Sequence, residues 1–169
     1  AEAWQTFLRK IEPGSTAAFF FAGHAVQLVG QNYLLASDVP NIQNDGPELL
    51  QLESLNFANL HHDILARKPK VSLLILDACR NNPFNMKGRS LGGSRGLTTV
   101  KPIEGSFVLY SANADEQALD GLPDDGPEEQ NSVFTRVLAP MLLKPDMTLQ
   151  EIARQVRIEV NNKVSTFNH

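Results

Sequence analysis

The chain has 169 residues, of which 42 % are hydrophobic and 20 % charged, the balance of one soluble globular domain large enough to bury its own core. A net charge of −4 and the lack of a basic run argue against a nucleic-acid surface, and no apolar stretch reaches the roughly 20 residues that span a bilayer. The single cysteine excludes an internal disulfide and fits a reducing, cytoplasmic setting, and with four histidines it offers no zinc spacing.

Trp4, Phe7, Leu8 and Ile11 recur at helical spacing, and Pro13-Gly14 ends that helix. Thr16 to Ala22 is short, continuously apolar and aromatic, which predicts a strand buried on both faces that ends at Gly23-His24. Val26–Val29 and Tyr33–Leu35 flank Gly30-Gln31-Asn32 and predict a hairpin, followed by loop from Pro40 to Pro47. Ser54 is the expected cap of a helix carrying Leu55, Leu60, Ile64 and Leu65, which ends before Pro69. A second core strand runs from Val71 to Leu76 and releases Asp77-Ala78-Cys79-Arg80 at its C-terminal end.

From Asn81 to Pro102 the chain turns to Asn, Gly, Ser and Pro with Lys87, Arg89, Arg95 and Lys101, a long basic loop. A strand over Ser106–Ser111 leads into an acidic loop holding Asp120, Asp124, Asp125, Glu128 and Glu129. Two helices follow, one over Ser132–Leu143 and one starting at a Thr148-Leu-Gln-Glu151 capping box. No internal repeat is present. Strands alternating with helices imply a mainly parallel sheet covered on both faces, whose chemistry lies beyond the carboxyl ends of its strands.

That end is where the sequence puts His24 and Cys79. A lone cysteine ending a core strand is usually a small buried hydrophobe, and a lone histidine is usually structural. Three neighbours favour chemistry instead. Asp77 is an acid at the mouth of an apolar strand, Arg80 and Asn81 make the following turn polar, and His24 leaves the equivalent exit of another strand. An imidazole beside a thiol promotes the thiolate and can protonate a leaving amine, while backbone N–H groups after Gly23 and at Cys79 can hold an oxyanion. Asp77 shares a strand face with Cys79 and either caps the next turn or receives a cationic, preferably guanidinium, group. Asp120 is a second pocket candidate or a solvated loop acid, and the remaining acids of its loop read as solvated.

Taken together, Phe20-Phe21-Ala22-Gly23-His24, Asn32-Tyr33-Leu34-Leu35, Leu76-Asp77-Ala78-Cys79-Arg80, Tyr110-Ser111-Ala112 and the helix after Asn131-Ser132-Val133-Phe134 resemble the caspase-like cysteine peptidases of clan CD, the C14 peptidases. Within them the pattern is closest to the bacterial relatives of metacaspases and paracaspases, the orthocaspase type. The histidine of caspases lies about 50 residues before the cysteine, as here. The resemblance covers nearly the whole chain. It implies a three-layer α/β/α sandwich with a mainly parallel central sheet. Residues 1–169 would form a single catalytic domain, with a large-subunit-like part over 1–84, a linker loop over 85–102 and a small-subunit-like part over 103–169.

It further implies His24 as general acid/base, Cys79 as nucleophile, and the backbone amides of Ala25 and Cys79 as oxyanion hole. Asp77 and Asp120 would line an S1 pocket for Arg or Lys, and the 85–102 loop would be a site of self-cleavage. No cofactor is implied; the acidic loop could bind calcium, but its acids lack an EF-hand pattern, so calcium activation has no support in the sequence. The expected partner is a peptide or protein with a basic P1 residue, not nucleic acid or membrane. Two departures stand out. Ala25 replaces the glycine that usually follows the histidine, and the family's first strand and helix are missing ahead of the first helix here. The second implies a fragment, a cleaved precursor, or a missing strand that comes from another chain, and makes the missing N-terminal segment a further expected partner.

Two functions compete on this basis: an endopeptidase cutting after Arg or Lys, and a catalytically impaired caspase-like domain acting as a binding or regulatory module. A flavodoxin-like nucleotide binder shares the sheet architecture but needs a Gly-rich phosphate loop that the sequence lacks.

Overall fold

The computed structural model describes residues 2–28, 30–37, 46–79, 104–111 and 121–166. These fall into two compact units, Ala1–Gln117 and Ala118–His169. The first contains α1 (Glu2–Arg9), β1 (Thr16–Leu28), β2 (Gln31–Leu34), α2 (Gly46–Glu53), β3 (Leu55–Asn56), α3 (Phe57–Leu65), β4 (Val71–Cys79) and β5 (Ser106–Tyr110). The strands form one mixed sheet in the order β3-β2-β1-β4-β5. β1, β4 and β5 run parallel, while β2 and β3 are antiparallel additions built on the hairpin.

One face of the sheet is set by the register. Phe19, Leu74 and Val108 form one row across β1, β4 and β5, and Phe21, Leu76 and Tyr110 the next on the same face. Leu8 of α1 and Phe57, Leu60 and Ile64 of α3 pack on this face with Ala17, Leu74, Leu76 and Ala78. Trp4 sits edge-on to Phe19, with ring centroids 5.9 Å apart, and its indole N–H donates to Asp63 on α3. Helices α1 and α3 therefore share both an apolar layer and a polar link. Burial of this layer is the main force holding the unit, at about 1.5–3 kcal/mol for each large side chain taken out of water.

Four expectations are corrected. β4 is buried on both faces from Ser72 to Ala78, but β1 is not: Thr16, Ala18 and Ala22 are exposed and Phe20 is 51 % exposed. An uncharged run cannot reveal whether both faces find a cover, and from Thr16 to Gly23 β1 pairs only with β4 among the described residues. Second, the strand does not end at Ala22. It runs on through His24 to Leu28, so the predicted strand and the first arm of the hairpin are one element. Third, α3 is capped by Asn56, whose side chain accepts from the Asn59 N–H, and not by Ser54. The intervening Leu55 and Asn56 are drawn into β3 by pairing with Leu34 and Tyr33. Helix α2 also occupies Gly46 and Pro47, which the sequence assigns to loop; proline fits the first turn of a helix, where its missing N–H costs nothing.

The second unit is a helical pair, α4 (Val133–Leu142) and α5 (Leu149–Ser165), that buries Val133, Phe134, Val137, Leu138, Ile152 and Val156. The capping box at Thr148 forms as predicted, and the hydrogen bonds from Thr148 hold Glu151 below the usual carboxylate range. The acidic loop is less solvated than expected. Asp125 accepts from both terminal nitrogens of Arg136 at 2.7 and 2.6 Å and from the Leu122 N–H, while Glu129 approaches the same guanidinium at 3.2 Å. These bonds clip the segment before α4 onto the helix, and the guanidinium holds Asp125 below its ordinary value.

One buried base lies under the sheet. His61 of α3 is 3 % exposed, stacks on Phe57 and meets the Ser106 hydroxyl at 2.7 Å through Nε2. Desolvation pushes its imidazole below the ordinary value near 6.5, because no acid compensates the charged form. The folded state therefore disfavours the proton that the unfolded chain accepts. Stability contributed by neutral His61 is present above pH 6.5 and is lost as the pH falls through that value and on through the lowered one. Melting temperature is expected to fall between pH 7 and pH 5, and His61→Gln, which keeps a partner for Ser106 but cannot titrate, is expected to flatten that slope. A slope unchanged in the variant would assign the effect to other groups.

Candidate active site

Gly23 marks the place where β1 changes neighbours. Its φ of +155° lies in a region that favours glycine, and an added Cβ would meet the Phe21 ring at 3.1 Å. Before it, β1 pairs with β4; beyond it, β1 also gains β2 on its other side. His24 is the next residue, and the Leu35 N–H donates to its carbonyl at 2.9 Å, so the hairpin ties down the histidine backbone.

The parallel register sets His24 directly beside Cys79, the last residue of β4. Adjacent strands run about 4.8 Å apart. Two residues earlier, Ala22 lies beside Asp77, so Asp77 belongs to the same face as the His24–Cys79 row. His24 is exposed, whereas Asp77 is 6 % exposed. The row between them, on the opposite face, is Gly23 beside Ala78.

Ala25 resolves without strain. Lys68 is the only described non-glycine residue with positive φ, so Ala25 has ordinary strand backbone, and its methyl is buried with Leu34 and Ala78 in the main core. Backbone polar groups alternate sides along a strand. Because the His24 carbonyl is bonded toward β2, the N–H of Ala25 is directed to the β4 side, where Cys79 lies.

Asp120, Arg80 and the 85–102 loop lie outside the described residues. The register thus brings together His24, Ala25, Asp77 and Cys79 from the sequence-predicted set. What residue types alone do not reveal is the part of the Leu35 amide, which becomes legible only once Asn32-Tyr33-Leu34-Leu35 is recognised as a strand returning along β1. No three His, Cys, Asp or Glu residues are gathered to hold a metal ion among the described residues, and no described helix is long and apolar enough to cross a membrane.

The family model described as the caspase domain, peptidase C14, matches residues 1–168 of the chain. No curated protein matches it.

Proposed function

On the premise that this chain belongs to the caspase-domain family of cysteine-type peptidases, we propose that it is an endopeptidase cutting after Arg or Lys through His24 and Cys79. The observation that carries the reading is the parallel pairing of these two residues on neighbouring strands, with Asp77 two positions below on the same face. The Cys79 thiol passes its proton to the His24 imidazole, and the thiolate attacks the scissile carbonyl carbon. The N–H groups of Ala25 and Cys79 hold the resulting oxyanion; one such donor is worth roughly 3–4 kcal/mol in well-studied proteases. Collapse of the tetrahedral species breaks the C–N bond, and the imidazolium returns its proton to the leaving amine. Water, deprotonated by His24, then attacks the thioester; the C–S bond breaks, the acid product leaves, and the imidazolium returns its proton to the Cys79 thiolate.

Burial of the Asp77 carboxylate supports a basic P1 residue, since a guanidinium offers two parallel donors to a carboxylate. Lys and Arg of the 85–102 loop are internal substrates in this reading. The open side of β1 supports a further strand as partner. Helices α1 and α3 lie on one face of the sheet, and right-handed crossovers then place a strand entering α1 on the side of β1 away from β4. That side is unpaired from Thr16 to Gly23 among the described residues.

A panel of peptide amides differing only at P1 tests the pocket. Release from Arg and Lys peptides is expected at rates at least about 30-fold above the Asp peptide, the scale of a close charge pair between partners. Preferential cleavage after Asp would overturn the assignment of Asp77. An activity-based probe with a basic P1 residue separates this reading from an impaired binding module, which would leave Cys79 unlabelled.

A further inference from the structure

The residues that precede the two proposed catalytic groups, Gly23 before His24 and Ala78 before Cys79, lie side by side on the opposite face of the sheet. They are the two smallest residue types, so this row leaves a shallow space directly behind the dyad. The Phe21 ring fills it on the β1 side. Phe21 shares a row with Leu76 and Tyr110, yet its ring reaches forward over Gly23, with Cζ 3.1 Å and Cε1 3.5 Å from where a Cβ would stand. A side chain at position 23 would displace the ring. Conversely, without the ring the backbone at Gly23 loses its three nearest side-chain contacts, at the residue with the least steric restraint in the strand.

We infer that Phe21 is a positioning residue for the proposed peptidase reaction: its ring is a backstop that holds the Gly23 backbone and so fixes where His24 stands on β1. This rests on the His24–Cys79 reading above and adds a residue that touches neither substrate nor reacting atoms. The strand itself provides an internal control. Phe19 lies two residues earlier on the same face, is also part-buried in the same core, and meets the Trp4 ring edge-on. Loss of either ring removes similar apolar contact. Only loss of Phe21 frees the backbone before His24.

Phe21→Leu and Phe19→Leu are compared for melting temperature, for kcat and KM on an Arg peptide amide, and for the NMR pH titration of the His24 ring. Both variants are expected to melt at lower temperature. Phe21→Leu is expected to lose about 10-fold in kcat with KM unchanged, the scale of a small misplacement of a reacting group. It is also expected to move the His24 titration, while Phe19→Leu leaves both within twofold of the parent. Phe21→Met, whose longer side chain reaches over Gly23, is expected to recover most of kcat. Should Phe21→Leu fold poorly, Phe21→Met beside Phe19→Met supplies the same comparison. Equal effects of the two positions on kcat and on the His24 titration would overturn the backstop. Absence of turnover in the parent protein would instead overturn the peptidase reading, and the His24 titration would still decide the role of Phe21.

Discussion

Replacing Cys79 by alanine is expected to bring hydrolysis of Arg and Lys peptide amides down to background, a loss of at least about 1000-fold in kcat. The size follows from the chemistry. Alanine removes the atom that forms the acyl-enzyme, so the two-step route closes and only substrate binding and the oxyanion donors remain. His24→Ala is expected to cost a comparable factor, because the imidazole serves both the attack and the departure of the amine. The double variant is expected to be little worse than either single one, since two groups acting on one bond lose their joint contribution once. Intact-mass spectrometry gives a second readout: fragments ending at Lys or Arg of the 85–102 loop are expected in the parent protein and absent from Cys79→Ala. Retained peptide hydrolysis in Cys79→Ala would remove the nucleophile assignment, and unchanged fragments would remove self-processing.

The pairing that underlies this expectation was half legible in the sequence. Each strand declares itself by an uncharged, β-branched or aromatic run, and each exit by its first polar residues, so His24 and Cys79 stand out. Motif resemblance adds that they act together. Their one-to-one register is a tertiary fact, because pairing depends on which strand lies next to which, and that is fixed by α1 and α3 sharing one apolar layer. The same limit explains the misreading of β1. Phe19, Phe20 and Phe21 are equally apolar, but Phe19 and Phe21 face the helices and Phe20 faces away. Composition cannot distinguish a covered face from an open one. The Ser54 cap failed for a related reason: a good capping residue lost to strand pairing at Leu55 and Asn56, which placed another capping residue, Asn56, at the start of α3. Ala25 shows the reverse case. As a residue type it signals lost backbone freedom, whereas in place it needs none, since its backbone is ordinary strand and its methyl adds to the core.

Asp77→Asn is expected to change what the protein cuts more than whether it cuts. The substitution keeps the shape of the side chain and removes its charge, at a position 6 % exposed, where a charge is poorly served by water. Breaking a buried, hydrogen-bonded charge pair costs about 2–5 kcal/mol, so kcat/KM for Arg peptides is expected to fall by at least about 30-fold. A matched peptide with citrulline, which has nearly the shape of arginine without the charge, separates recognition from damage. The parent protein is expected to prefer Arg over citrulline strongly, and Asp77→Asn is expected to bring the two close together, with citrulline cleavage little changed. Cys79 labelling by a small alkylating reagent checks that the nucleophile is still presented. A melting curve checks the fold, since Asp77 sits in the most buried strand of the sheet. If Arg and citrulline peptides fell by the same factor, Asp77 would be a structural acid at the end of β4, and the basic preference would have to come from elsewhere in the pocket.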